Sequence, residues 1–439
     1  MKEIYAKAIL LIFDIMAIAL SLSLAYMTRV VFDSSFSIPF HHNIEEYLYF
    51  PIIYIVLIAT LFYEDVYTKR YDFWQESKHI IRAVGLSFLI VMSILAITKH
   101  IDHFSRAVIV LAFIYLLFFI PLFKNILKKA LFKVGLWSRK AKIFGDDTFL
   151  SNEIFNNHYL GYIPCDTNDV KTVFINSKNI TPQDLRKHID KEISLRHEVI
   201  FIPIINDYDM TQSHIYTLSN TRTNLVVFKN RLKSSYRKVL QEIFNYLLAI
   251  LLLPILLPII MVLAFLIKKE SPGPVFFAHN RIGKNGKVIP TLKFRSMYAD
   301  AQERLEKLLA EDENTRKEWE ENFKLKNDPR VTKIGALMRK TSLDELPQIF
   351  NVLKGEMSFV GPRPVIQQEI DQYYKEDAEY YFMVKPGITG LWQVSGRSDT
   401  DYEYRVETDK WYVRNWSLWL DIVILFKTVK VVFFREGAY

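Results

Sequence analysis

A single cysteine, Cys165, is present, so the chain can build neither an internal disulfide nor a cysteine-based zinc site. One thiol suits a reducing compartment for the soluble mass, with Cys165 as a small filler residue. G-x-G-x-x-G occurs nowhere. The first β-rich run leads into Phe144-Gly145-Asp146-Asp147, one glycine where a dinucleotide fingerprint needs three. No cleavable signal peptide is expected, because the first apolar run is long, lacks a small-residue cleavage site and is followed by more runs. These gaps weigh against disulfide scaffolds, cysteine zinc sites and dinucleotide-dependent oxidoreductases.

Apolar residues are abundant. Half of the 439 residues are hydrophobic and 14% are aromatic, beside 24% charged, which suggests membrane segments mixed with soluble parts. The net charge of +8 does not by itself choose between nucleic acid, anionic lipid and phosphorylated substrates. With apolar runs present it reads as topology, and no nucleic-acid partner is expected.

Four apolar runs occupy the first third, near Tyr5–Tyr26, Tyr47–Tyr63, Ile80–Thr98 and Ala107–Phe123. Each approaches the ~20 residues that cross a hydrocarbon core as a helix. Asp14 inside the first run is expected to face the bundle interior with a polar partner. Lys2 and Lys7 precede the first run, Lys69, Arg70, Lys78 and Arg82 separate the second and third, and Lys124, Lys128, Lys129, Lys133, Arg139 and Lys140 follow the fourth. The first connection instead carries Asp33, Glu45 and Glu46. The bias places both ends of this bundle in the cytoplasm.

Residues 141 to 232 read as soluble α/β, with β-rich runs at Ala141–Phe144, Thr172–Ile175, Glu198–Ile204 and Asn224–Phe228 and a helix near Pro182–Glu192. A degenerate Rossmann-like module for packing or dimerisation is the expectation. Tyr246–Ile267 is then apolar without a break. Pro254 and Pro258 in its middle favour a bend. Both flanks are basic: Arg231, Lys233, Arg237 and Lys238 before, Lys268 and Lys269 after. A segment that enters, turns and returns satisfies both facts, whereas a fifth spanning helix satisfies only its length.

The densest polar patterning follows: Gly273-Pro274-Val275-Phe276-Phe277, Arg281-Ile282-Gly283, Lys293-Phe294-Arg295-Ser296-Met297, then Arg339 to Gln348 and Gly361-Pro362-Arg363-Pro364. The charged stretch at about Ala301–Phe323 reads as a solvated helix. Ser342-x-x-Glu345 alone is a capping box, which would leave Glu345 a merely local role. Phosphoryl transfer, however, requires a nucleophile, a divalent metal and cations for the remaining oxygens. Adjacent Asp344 and Glu345 at a helix N-terminus suit the first two, and Arg339 and Arg363 suit the third.

Together the stretches GPVFF, RIG, KFRSM, RKTSLDELPQIFNVLKGEMS and VGPRP resemble the catalytic domain of the bacterial sugar transferases, the polyprenyl-phosphate hexose-1-phosphate transferases. The resemblance implies that Asp344 is the nucleophile of a covalent sugar-phosphate intermediate and that Glu345 is a Mg2+ ligand. It also implies that Arg339 and Arg363 hold phosphate, with Lys293 and Arg295 near the diphosphate or lipid phosphate. Pro258 matches the proline that breaks a re-entrant membrane helix. Lys385-Pro386-Gly387-Ile388-Thr389-Gly390-Leu391-Trp392-Gln393, Gly396-Arg397, Asn415-Trp416-Ser417, Asp421 and the final Gly437-Ala438-Tyr439 extend the likeness to the large members, especially those that move galactose phosphate. One departure is that the anchor starts Gln241-Glu242-Ile243-Phe244-Asn245, where the family usually has Lys-Arg-x-x-Asp. The likeness covers about 270–439 and the anchor; before residue 240 it is one of architecture.

The expected fold is a membrane protein of α plus α/β class: a four-helix transmembrane bundle (1–135), a degenerate Rossmann-like domain (136–232), a re-entrant helix (233–270) and an α/β catalytic domain (271–439). The expected reaction moves galactose or glucose 1-phosphate from a UDP-sugar to undecaprenyl phosphate, with Mg2+, at the bacterial inner membrane, by a homodimer. A nucleotide-sugar dehydratase is the rival, since Tyr381-x-x-x-Lys385 occurs, but it lacks its glycine fingerprint. A non-catalytic export scaffold is the other. The closing segment, about Trp416–Phe434, is either interfacial or a core helix.

Overall fold

The computed structural model describes residues 2–33, 43–98, 104–144, 148–165, 170–176, 180–196, 198–202, 214–217, 224–227, 232, 235–311, 328–395 and 401–434. Gly145–Asp147, Gly396-Arg397 and Gly437–Tyr439 lie outside them. The chain divides into two compact units, Met1–Met210 and Thr211–Tyr439.

Apolar helices dominate the first unit: α1 (Lys2–Val31), short α2 (Ile44–Leu48), α3 (Pro51–Tyr63), α4 (Phe73–Ile97) and α5 (Arg106–Lys133). Pro51 opens α3 at the position where its missing N–H costs nothing. Asp72 caps α4, accepting from the amides of Trp74 (2.8 Å) and Gln75 (3.1 Å). α1 packs on α5, α3 on α4, and α4 on α5 around buried Leu, Ile and Ala.

Two carboxylates are carried into that core with their own cations. Asp14 meets Lys124 at 2.7 Å and accepts from the Tyr67 hydroxyl. Glu76 meets Lys128 and accepts from the Tyr159 hydroxyl at 2.6 Å. Asp14 therefore faces inward with polar partners, as its place in an apolar run requires. Lys124 and Lys128 belong to this interior rather than to a solvated flank, because α5 runs ten residues past Phe123, to Lys133.

A parallel-sheet α/β region follows. Strands β1 (Arg139–Phe144), β2 (Tyr162–Pro164), β3 (Thr172–Asn176) and β4 (Glu198–Ile202) lie in the order β2-β1-β3-β4. Helices α6 (Thr148–Phe155) and α7 (Pro182–Leu195) complete it. β2 is three residues long and carried no readable pattern.

In the second unit, β5 (His214–Thr217) and β6 (Asn224–Val227) form an antiparallel hairpin of their own. The apolar run near 224 is thus not a further strand of the parallel sheet. Helix α8 (Ser235–Glu270) keeps helical pairing through Pro254 and Pro258. Beyond it, β7 (Phe276–Ile282) and β8 (Val288–Phe294) pair antiparallel, and α9 spans Ala301–Glu311. Next come α10 (Lys333–Thr341), α11 (Gln348–Leu353) and β9 (Ser358–Val360). After these lie α12 (Ala378–Phe382), β10 (Gly387–Thr389), α13 (Leu391–Ser395), α14 (Tyr402–Arg414) and α15 (Leu418–Phe434). β9 and β10 pair in parallel. One core joins Ala249, Ile260, Leu263 and Ile267 of α8 to Phe294, Met338, Ile349, Val352, Val360 and Ile424. The closing helix α15 thus has a core face, yet it leaves Phe426 and Val429 exposed.

Five helical stretches, Lys2–Val31, Ile44–Tyr63, Phe73–Ile97, Arg106–Lys133 and Tyr236–Glu270, are long and apolar enough to cross a membrane. The protein is a membrane protein.

Candidate active site

The densest polar patterning folds into a turn set against the end of β8. Thr332 caps α10 by accepting from the Gly335 amide (2.9 Å), and Glu270 accepts from the Lys333 (2.7 Å) and Ile334 (3.0 Å) amides. A Cβ on Gly335 would lie 2.0 Å from the Ser296 carbonyl oxygen, so only glycine lets α10 come this close. That contact lets Arg339 donate from Nε to Ser296 Oγ at 2.9 Å.

α10 ends at Ser342 in the left-handed region (φ 55°), which reverses the chain into a single 3-10 turn, Leu343–Glu345. Asp344 and Glu345 occupy this turn, with side chains 16% and 17% exposed. Lys293 at the end of β8 places Nζ 2.7 Å from Glu345 Oε1 and 3.9 Å from Asp344 Oδ2. Arg363 Nη2 lies 3.5 Å from the same Glu345 oxygen. Glu345 is therefore held between two cations. Burial pushes the Asp344 carboxyl above its usual range; Lys293 opposes this and Glu345 reinforces it.

The capping-box reading fails on this geometry. Ser342 makes no side-chain cap, and the carboxylate of Glu345 is directed at Lys293 and Arg363. Nor do the acids sit at an α-helix N-terminus, because α11 starts only at Gln348 and has six residues. Positive potential at the dyad comes from side chains instead.

Arg363 is aimed by its backbone. A Cβ on Gly361 would lie 2.5 Å from the Lys385 carbonyl, and one on Gly390 2.3 Å from the Gly361 carbonyl. The loop after β9 therefore packs main chain to main chain on Lys385–Gly390. Buried Tyr381 donates to the Ile282 carbonyl (2.8 Å) and accepts from the Val365 amide (3.3 Å), fixing the far side of the same loop. Lys385 pairs with Glu242 at 2.6 Å. Tyr381 and Lys385 thus serve separate contacts and form no catalytic pair.

The remaining sequence candidates divide. Asp344, Glu345, Lys293 and Arg363 come together, with Arg339 one turn away. Arg295 does not join them: it donates to the carbonyls of Ser271 (2.5 Å) and Pro272 (3.0 Å) and clamps the exit of α8. Pro258 lies within α8. Asn351, quoted in the sequence motif without a role, is fully buried. It accepts from the Leu292 amide (3.0 Å) and donates to the Pro290 carbonyl (2.8 Å), holding β8 where Lys293 meets the dyad. An asparagine inside Ile349–Leu353 was its signal.

Among the described residues no group of three or more His, Cys, Asp and Glu side chains converges as a metal cage. Two adjacent carboxylates fit Mg2+ in its usual mode, in which phosphate oxygens and water complete the shell. The donor set therefore fits this ion with a phosphorylated ligand.

A sequence profile described as bacterial sugar transferase matches residues 236–435. The undecaprenyl-phosphate galactose phosphotransferase of Salmonella typhimurium is 37% identical over 404 residues, covering 85% of this chain and 84% of that protein. A UDP-galactose-lipid carrier transferase of Erwinia amylovora is 35% identical, with 85% and 84% covered. The UDP-glucose:undecaprenyl-phosphate glucose-1-phosphate transferase of Escherichia coli is 37% identical over 249 residues, 55% of this chain and 50% of that protein. A likeness of this extent, over a front half and a back half together, leaves one assignment: the chain belongs to the bacterial sugar transferase family and is a phosphoglycosyl transferase.

Proposed function

We propose that the protein transfers hexose 1-phosphate, with galactose or glucose as the sugar, from a UDP-sugar to undecaprenyl phosphate and releases UMP. This is the first membrane step of O-antigen, capsule or exopolysaccharide synthesis. The observation that carries the reading is Asp344 standing beside Glu345 while Lys293 and Arg363 converge on the second acid.

In the first half-reaction an Asp344 oxygen attacks the phosphorus bonded to the sugar. The bond from that phosphorus to the bridging oxygen breaks, and UMP leaves with the electron pair. In the second half-reaction a phosphate oxygen of undecaprenyl phosphate attacks the same phosphorus, and Asp344 departs as a carboxylate. Lys293, Arg339 and Arg363 orient the phosphate oxygens and balance their charge. Glu345 would hold Mg2+, which when bound neutralises diphosphate charge.

The layout expected from sequence belongs to the same reading: a four-helix bundle, a Rossmann-like module, a re-entrant α8 and a cytoplasmic catalytic domain on the bacterial inner membrane, acting as a homodimer. Re-entrance is supported by contacts at both ends of α8. Asn245 accepts from Ser358 Oγ (3.1 Å) and the Phe359 amide (3.0 Å), while Glu270 caps α10.

Incubation with [β-32P]UDP-galactose or [β-32P]UDP-glucose, labelled at the phosphorus bonded to the sugar, without acceptor, tests the covalent step. Wild-type protein is expected to form a labelled, hydroxylamine-sensitive adduct and one equivalent of UMP. Asp344→Asn is expected to form neither while remaining folded. Undiminished labelling of that variant would remove Asp344 as nucleophile.

A further inference from the structure

Two groups on the face of the β7–β8 hairpin that carries Lys293 have no part in the reaction as written. The register pairs Phe277 with Lys293, His279 with Thr291 and Arg281 with Ile289. Cross-strand partners project to the same face, so His279 and Arg281 lie on the Lys293 side. His279 is the diagonal neighbour of Lys293, a relation that sets Cβ atoms somewhat less than about 7–8 Å apart.

The two groups differ in kind. His279 is exposed. Partial burial, then Arg281 and Lys293, hold its imidazole below the usual range, so the ring is uncharged at neutral pH and offers one N–H. Arg281 is fixed: Nη1 lies 3.3 Å from Glu369 Oε2, and Glu369 is itself held by the Tyr402 hydroxyl (2.9 Å) and the Ile366 amide (2.9 Å). Arg363 is close enough to Arg281 to repel it and Lys293 close enough to His279, so these groups share one field.

Direction along the face follows from the chemistry. In-line displacement puts the leaving oxygen opposite the attacking carboxylate. Lys293 stands at the acids, and the next same-face positions are His279 and then Arg281. A second phosphate that leaves the acids along this face, one bridging oxygen from the first, would meet them in that order.

We infer that His279 and Arg281 form the subsite for the leaving nucleoside monophosphate, with the imidazole N–H donating to a non-bridging oxygen of its phosphate and Arg281 supplying charge. The inference rests on the transfer reaction proposed above.

Full-length wild-type, His279→Ala and His279→Gln proteins in nanodiscs test it through the two half-reactions. His279→Ala is expected to lower kcat/KM for the UDP-sugar and to weaken product inhibition by UMP, each about tenfold, the size of one lost hydrogen bond to a charged group. kcat/KM for undecaprenyl phosphate stays unchanged, because UMP has left before that step. His279→Gln, which keeps an N–H, recovers most of the loss. A merely structural role would depress both half-reactions together. Unaltered UMP inhibition in His279→Ala, or equal losses for donor and acceptor, overturns the subsite while leaving the transfer reaction intact. A wild-type protein that releases no UMP from any UDP-sugar overturns the reaction itself, and the subsite with it.

Discussion

In the proposed reaction Asp344 attacks as a carboxylate, yet burial lifts its proton affinity and Lys293 is the first group acting against that lift. The sign of the pH dependence follows. Activity is lost as pH falls through the pKa of the folded enzyme, and removing the Lys293 charge raises that pKa further. Lys293→Met is therefore expected to move the acid limb of kcat/KM for the UDP-sugar to higher pH, besides lowering its plateau. A profile measured from pH 5 to 8 with an unmoved limb would mean that Lys293 does not set this ionisation. At this scale the sequence was legible where charged residues cluster, as Arg339 and Asp344-Glu345 do. It did not show the contacts of Arg295, two residues beyond Lys293, which binds the carbonyls at the exit of α8. Strand periodicity fixes the face on which a side chain starts, but it does not say which carbonyls a long guanidinium finds. His279 carried no readable signal because its neighbours are set by pairing across a hairpin.

Among the elements, α8 shows how a departure from the family pattern is accommodated. Asn245 stands where an aspartate is usual, and its side chain does two jobs. Nδ2 donates to the Gln241 carbonyl of its own helix (2.9 Å), while Oδ1 accepts from Ser358 Oγ and the Phe359 amide. Asn245→Leu leaves a buried amide and hydroxyl without acceptors and is expected to cost about 1–3 kcal/mol. Asn245→Asp keeps both acceptor contacts and loses only the donation within the helix, so its cost should be clearly smaller. Melting temperatures of the two variants in detergent decide this; equal losses would mean that the acceptor contacts do not hold the helix start. Apolar length and proline positions made the membrane-length elements legible, though α5 ran further than its apolar stretch. Buried Glu76 and Asp14 supply partners for Lys128 and Lys124 there, which hydropathy does not register. The hairpin of β5 and β6 was unreadable for a related reason: four-residue strands do not reveal which sheet they join.

For the molecule as a whole, the decisive issue is the side of the membrane that each end of α8 meets. Its uninterrupted apolar stretch, Tyr246–Ile267, would be roughly 33 Å long as a straight helix at 1.5 Å per residue, enough to cross. Length and composition therefore could not choose between spanning and returning. Contacts can. Glu242 and Asn245, before the stretch, bond Lys385, Ser358 and Phe359, while Glu270, after it, caps α10. All these partners belong to one compact unit. A folded body outside the bilayer reaches both ends of the stretch only if both ends emerge on its own side. Exposed Lys238 and Lys269 flank the stretch and suit cysteine reporters. In a Cys165→Ser background, Lys238→Cys and Lys269→Cys are expected to react with a membrane-impermeant maleimide in inside-out vesicles and to resist it in right-side-out ones. Labelling of the two positions from opposite faces would make α8 a spanning helix. It would then place the first turns of α8 on the far side of the bilayer from α10, against the bonds that Asn245 and Glu270 make within one compact unit.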